Sequence, residues 1–217
     1  MQEGKRMTDR TKVHYLFIID RSGSMATIAA DMTGGISTFI DKQLEGVDSA
    51  KRTVSFYQFD TEHEEVHDFA PLEAAKTYVL HPRGCTALLD AVGTAITKVG
   101  GKLRDMPEDS RPGEVMVVIV TDGQENASRE YTRARVKDMI RHQSDKYNWK
   151  FTYLGANQDS FAEAGSIGIP AYSTLNYGAT TTGTAGGWTA AATSVSAGTA
   201  STTSRIAYTQ EQRDSSR

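Results

Sequence analysis

The chain has 217 residues, enough for one ordinary domain or a domain with an appendage. A domain of this size buries about 70% of its unfolded surface and needs no disulfide or structural metal to hold together. Lys and Arg number 24 against 27 Asp and Glu, and a net charge of -3 lacks the basic signature of a nucleic-acid binder. The single cysteine, Cys85, excludes an internal disulfide and a cysteine-built zinc site.

In chain order, residues 1–11 are charged, without the apolar stretch of a signal peptide, and read as an N-terminal extension. Val13 to Ile19 is a near-continuous apolar run ending at Asp20. Ile36, Phe39, Ile40 and Leu44 recur at helical spacing. Val54 to Phe59 reads as a strand, with Val66 to Phe69 as a short partner across a polar turn. Leu88, Leu89, Val92, Ile96 and Val99 mark a second helix. Val115 to Val120 is another aliphatic run, ending at Thr121-Asp122-Gly123. Val136, Met139 and Ile140 mark a third helix, Phe151 to Gly155 a strand, and Ala171 to Leu175 a last strand. Short β-branched runs of this kind suit strands covered on both faces. The longest of them is far below the roughly 20 residues that cross a bilayer, so no membrane span and a cytoplasmic location are expected. The alternation predicts an α/β fold: an open, doubly wound, mostly parallel sheet with helices on both faces and one antiparallel edge hairpin.

Residues 12–177 carry this pattern. From 178 to 204 nearly every residue is Gly, Ala, Ser or Thr. A flexible linker is one reading. The preferred one is a helix from about Gly187 to Ala200, because Trp188, Ala192 and Val195 share a helical face. Residues 205–217 read as a loose tail.

Asp20-Arg21-Ser22-Gly23-Ser24 directly follows the first apolar strand, which puts its side chains at the carboxyl end of the sheet, where open α/β folds bind ligands. Asp122 follows the Val115 strand in the same way, and Thr86 opens a helix that can reach the same edge. Two carboxylates and three hydroxyls are hard oxygen donors suited to Mg²⁺ or Mn²⁺, with Ca²⁺ a further candidate. Such an ion stays electrophilic and accepts an anionic oxygen from outside.

Asp20-x-Ser22-x-Ser24, Thr86 and Asp122, in this order and each at a strand or helix boundary, resemble the metal-ion-dependent adhesion site (MIDAS) of von Willebrand factor A domains. The segment order is similar from about Lys12 to Tyr177. The resemblance implies that Ser22 and Ser24 bind metal directly, Thr86 directly or through water, and Asp20 and Asp122 mostly through water. It implies protein binding rather than catalysis, with a partner's Glu or Asp completing the metal shell. Small stand-alone bacterial or phage members look most similar, and a virion is the alternative location open to a phage-encoded copy. A departure is Gly84-Cys85, where the family often has two small residues before the threonine.

Glu125 and Asn126 are candidates for orienting metal-bound waters, and Arg21 and Arg83 for steering an acidic partner. Two other functional classes remain. One is a structural component of a large assembly or homo-oligomer, with the metal site secondary. The other is a metal-dependent hydrolase, for which His81 alone lies near a motif element as a base. His63-Glu64-Glu65-Val66-His67 spells HExxH, but on a strand four residues span roughly 13 Å, too far for two ligands of one ion. A solvated hairpin tip is the expected reading. Cys85 with His81 as a nucleophile pair is weaker than a small buried cysteine, and Asn126-Ala127-Ser128 is a glycosylation acceptor only in a secreted protein.

Overall fold

A computed structural model describes residues 8–156, 159–200 and 205–217. Residues 1–7 of the expected extension and 201–204 of the small-residue segment lie outside the described residues. The elements run β1 (Asp9–Asp20), α1 (Ala29–Leu44), β2 (Arg52–Phe59), β3 (His63–Pro71), α2 (Leu88–Asp105), β4 (Pro112–Thr121), α3 (Arg133–Tyr147), β5 (Lys150–Ala156), α4 (Ser160–Ser166), β6 (Thr174–Tyr177), α5 (Thr181–Ala200) and α6 (Gln210–Ser215). The strands form one six-stranded sheet in the order β3-β2-β1-β4-β5-β6. All pairs are parallel except β2 with β3. The expected α/β class with one antiparallel edge hairpin is what the chain adopts.

Strand alternation divides the core into two layers. Tyr15, Phe17 and Ile19 of β1, with Met116, Val118 and Val120 of β4, face Met32, Ile36 and Phe39 of α1 and Trp188, Ala192 and Val195 of α5. Leu16, Ile18, Val117 and Ile119 face the opposite way, against Leu88, Val92, Ile96 and Val99 of α2 and Val136 and Ile140 of α3. The apolar runs are near-continuous because β1 and β4 sit at the centre, covered on both sides.

Several elements differ from the sequence reading: β1 starts at Asp9, inside the stretch read as an N-terminal extension, and α4 has no counterpart in it. β3 spans nine residues rather than four, because its backbone pairs with β2 from Thr53↔Pro71 to Phe59↔His63 through charged positions that carry no apolar signal. The last strand is Thr174–Tyr177, since Ala171–Ser173 form a 3-10 turn after Pro170. α5 starts at Thr181, six residues before the expected start. Its small residues let it lie close to α1, and a Cβ on Gly35 would fall 1.9 Å from Trp188 Cδ1.

The end of the chain, read as loose, packs. Ile206 and Tyr208 are buried, the Tyr208 and Thr152 hydroxyls lie 2.6 Å apart, and a capping box at Thr209 and Gln212 starts α6. Gly178 N–H donates to Ser216 O at 2.8 Å and Arg213 Nη1 to Thr174 O at 2.6 Å, so this segment covers the outer edge of β6.

Candidate metal-ion site

The chain leaves β1 toward β2 on one side and reaches β4 on the other, so the strand order reverses between β1 and β4. The crevice at the carboxyl ends of those two strands is the place where an open α/β sheet accepts a ligand. Asp20 is the last residue of β1, and Asp122 the first after β4.

Asp20 is fully buried. Its Oδ1 accepts the Ser22 amide at 2.6 Å and its Oδ2 the Thr121 hydroxyl at 2.5 Å. Ser22 Oγ and Ser24 Oγ lie 3.0 Å apart, and Ser24 Oγ donates to Asp122 Oδ1 at 2.6 Å. Ser22 is buried while Ser24 is exposed, so the row of oxygens opens outward. Thr86 arrives from the other side: it is buried, and a Cβ built on Gly123 would sit 2.7 Å from its hydroxyl. A glycine after Asp122 is what lets the threonine approach.

Burial pushes the Asp20 carboxyl up to about 6, against the Thr121 and Ser22 hydrogen bonds that lower it, and the like charge of Asp122 adds to the rise. Burial raises Asp122 too. Arg21, adjacent to Asp20, makes its ion pairs elsewhere. Its guanidinium turns to Asp60 at 2.8 Å and Glu64 at 2.9 Å. Two desolvated carboxylates acting on each other, beside a row of hydroxyls, fit a small hard cation. Among the described residues, no group of three or more His, Cys, Asp or Glu is placed to hold a metal ion. A set with this few carboxylates depends on its hydroxyls.

The flanking candidates divide. Asn126 Oδ1 accepts the Thr86 amide at 3.0 Å, while the amides of Asn126 and Ala127 donate to Thr86 O, so Asn126 fixes the threonine. Glu125 points to the start of α2: Oε2 accepts Leu89 N–H at 2.9 Å and the Ser128 hydroxyl at 2.7 Å, and Oε1 accepts the Ala127 and Ser128 amides. It caps a helix start rather than facing the oxygens. Arg21 is buried in its ion pairs and is not a surface steering charge. Arg83 remains at the rim, held by Asp60 and Glu62.

Sequence reasoning missed three contributors. Thr121 hydrogen-bonds Asp20, Asp60 gathers both arginines, and Asp90 accepts the amides of Arg129, Glu130 and Tyr131 to tie α2 to the loop after β4. Thr121 alone had a signal, its place in Thr121-Asp122-Gly123. His63 and His67 lie on β3, and Glu64 of that stretch accepts from Arg21 and Gln58. Cys85 is a free, exposed thiol.

The three layers, the strand order and the position of the oxygen cluster define a von Willebrand factor A fold. Solved structures agree. Proximal thread matrix protein 1 from the mussel byssus matches with a TM-score of 0.64 at 12% identity, over 85% of this chain and 46% of that one. A second structure of that protein, described as having a zinc-occupied MIDAS motif, matches with a TM-score of 0.59 at 14% identity, over 78% and 42%. The vWF domain of the type V pili tip protein Mfa5 from Porphyromonas gingivalis gives a TM-score of 0.59 at 10% identity, over 86% and 96%. The chain thus spans less than half the length of the byssus protein. No protein-family model and no curated protein matches the sequence. Among the described residues, no helix is long and apolar enough to cross a membrane.

Proposed function

We propose that this chain is a divalent-metal-dependent protein-binding module, not an enzyme, that grips an acidic side chain of a partner through a MIDAS. The observation that carries this reading is the Ser22–Ser24–Asp122 row of oxygens beside buried Asp20 and Thr86 at the reversal of strand order. Ser22, Ser24 and Thr86 would hold Mg²⁺ or Mn²⁺ by their hydroxyls, with Asp20 and Asp122 balancing charge. When bound, the ion supplies a Lewis-acidic position for a carboxylate oxygen. Thr121 and the Ser22 amide hold the Asp20 carboxylate in place, and Asn126 holds Thr86. The zinc-occupied MIDAS named for a byssus structure supports divalent binding in this fold, and the exposed thiol of Cys85 suits a reducing, cytoplasmic setting.

The second reading, a component of a larger assembly or homo-oligomer, draws on neighbours named as thread matrix and pilus tip proteins. Calorimetric titration with Mn²⁺ and a pull-down in Mg²⁺ or EDTA separate the two. Asp122→Ala is expected to weaken ion binding at least tenfold with an unchanged circular dichroism spectrum, and Thr86→Ala to lose the partner that EDTA also releases. A partner retained in EDTA would move the assembly reading to first place.

A further inference from the structure

The loops that carry the oxygen cluster meet on a residue that adds no oxygen to it. Asp60 follows β2 and is buried. Its Oδ2 accepts Nε–H of Arg21 at 2.8 Å and Nε–H of Arg83 at 2.6 Å, and its Oδ1 accepts the Glu62 amide at 2.7 Å. Its carbonyl accepts the Ala87 amide at 2.8 Å. Arg21 stands between Asp20 and Ser22, and Arg83 stands three residues before Thr86. Main-chain bonds run parallel to these ion pairs: Arg83 N–H to Arg21 O at 2.7 Å and Gly23 N–H to Gly84 O at 3.2 Å. The Ser22–Ser24 loop and the Thr86 loop are thus two spans pinned to one carboxylate.

Stability alone gives little reason for this arrangement. A buried ion pair is often no better for folding than apolar groups of the same volume, because both charges lose their water. What it supplies is geometry, since two guanidiniums with fixed donor directions meet on one oxygen. A site of mostly neutral hydroxyls has weak intrinsic attraction for a hydrated cation, so its affinity depends on donors that are already in place.

We propose that Asp60 is the positioning residue of the metal site: through Arg21 and Arg83 it locks the Ser22–Ser24 loop to the Thr86 loop before an ion arrives, and so sets ion affinity. This rests on the metal-binding reading above. Asp60→Asn leaves Arg21 buried without its main counter-charge and risks misfolding, so Arg21→Gln/Asp60→Asn, which removes both charges, is the deciding variant.

Two readouts on the full chain test it. One is calorimetric titration with Mn²⁺. The other is the rate at which an aromatic disulfide reagent modifies Cys85 in EDTA, since this lone thiol lies in the Thr86 loop with its amide bonded to Thr61 Oγ1 at 3.1 Å. The double variant is expected to bind Mn²⁺ at least tenfold more weakly and to expose Cys85 to modification severalfold faster. Arg83→Gln, which cuts one arm, is expected to fall between it and the wild type. Mn²⁺ affinity within twofold of wild type in the double variant, or an unchanged thiol rate, overturns the proposal. If the wild type binds no Mn²⁺, the metal-binding reading fails separately, and the thiol rate in EDTA alone decides whether Asp60 locks the loops.

Discussion

Replacing Asp20 with Asn is expected to make the metal-free protein more stable while abolishing its response to metal. The carboxyl titrates at about 6 in the folded chain against an ordinary 3.8. The folded state therefore holds the proton more tightly than the unfolded chain, and metal-free stability falls as pH rises from about 4 to about 6. At about 1.4 kcal/mol per pH unit, the ionised carboxylate costs about 3 kcal/mol above pH 7.

Asn carries no charge and keeps an oxygen for the Ser22 amide. The Thr121 hydroxyl, which lies 3.1 Å from Gly123 O as well as near Asp20, can turn to donate there and accept from the new amide. Allowing for imperfect exchange, a gain of about 1–3 kcal/mol is expected, or about 2–12 °C in Tm for a chain of this size. Mg²⁺ at a hundredfold excess over Kd would stabilise the wild type by about 2.7 kcal/mol and the variant not at all. Thermal denaturation followed by circular dichroism at pH 7.5, in EDTA and in Mg²⁺, gives both numbers. A repeat near pH 4 should shrink the EDTA gap, because the wild-type carboxyl is then protonated. A variant less stable than the wild type in EDTA at pH 7.5 would refute the reasoning. The carboxylate's hydrogen bonds would then outweigh the cost of burying its charge.

Gly35→Ala should destabilise by about 1–3 kcal/mol, read from urea midpoints, because the added Cβ enters Trp188 and pushes α5 from α1. His14 is buried, stacks on Phe69 with ring centroids 4.0 Å apart, and is driven by burial to about 3, with only a partial offset from Asp68. It must stay neutral to fold, so its contribution is intact above pH 6.5 and is lost as pH falls toward 3, roughly 3 kcal/mol by pH 4.5. His14→Leu should flatten that part of the urea-midpoint profile. His63→Ala with His67→Ala should change neither metal content by elemental analysis nor Tm by more than about 2 °C. Loss of bound zinc from that variant would show that the HExxH stretch is a metal site after all.

Legibility in the sequence followed how local the cause was. The β1 and β4 runs announce themselves because burial on both faces demands unbroken apolar residues, and Asp20, Ser22, Ser24 and Asp122 stand directly at their ends. Trp188, Ala192 and Val195 betray α5 by spacing alone, and all three are buried. Its first turn, Thr181 to Gly186, has no large side chain to mark it. Asp60 and Asp90 read as ordinary turn and helix acids, since their partners lie 39 or more residues away for Arg21 and Arg129. Arg21 looks like a surface charge until its partners, Asp60 after β2 and Glu64 on β3, are known. The docking of residues 205–217 depends on backbone carbonyls of β6, which no side-chain pattern reveals.

The oxygen cluster joins segments far apart in the chain: 98 residues separate Ser24 from Asp122, and 101 separate Asp20 from Thr121. These contacts require β1 and β4 to have paired, which is a late and slow event for a parallel pair. An ion therefore has nothing to bind until most of the sheet exists. Metal should slow unfolding while leaving the refolding rate nearly unchanged, as expected for interactions absent from the transition state. On the metal-binding reading the cluster would serve as a witness to completed folding, since a chain that captured a divalent ion would already have aligned the two strands at its centre.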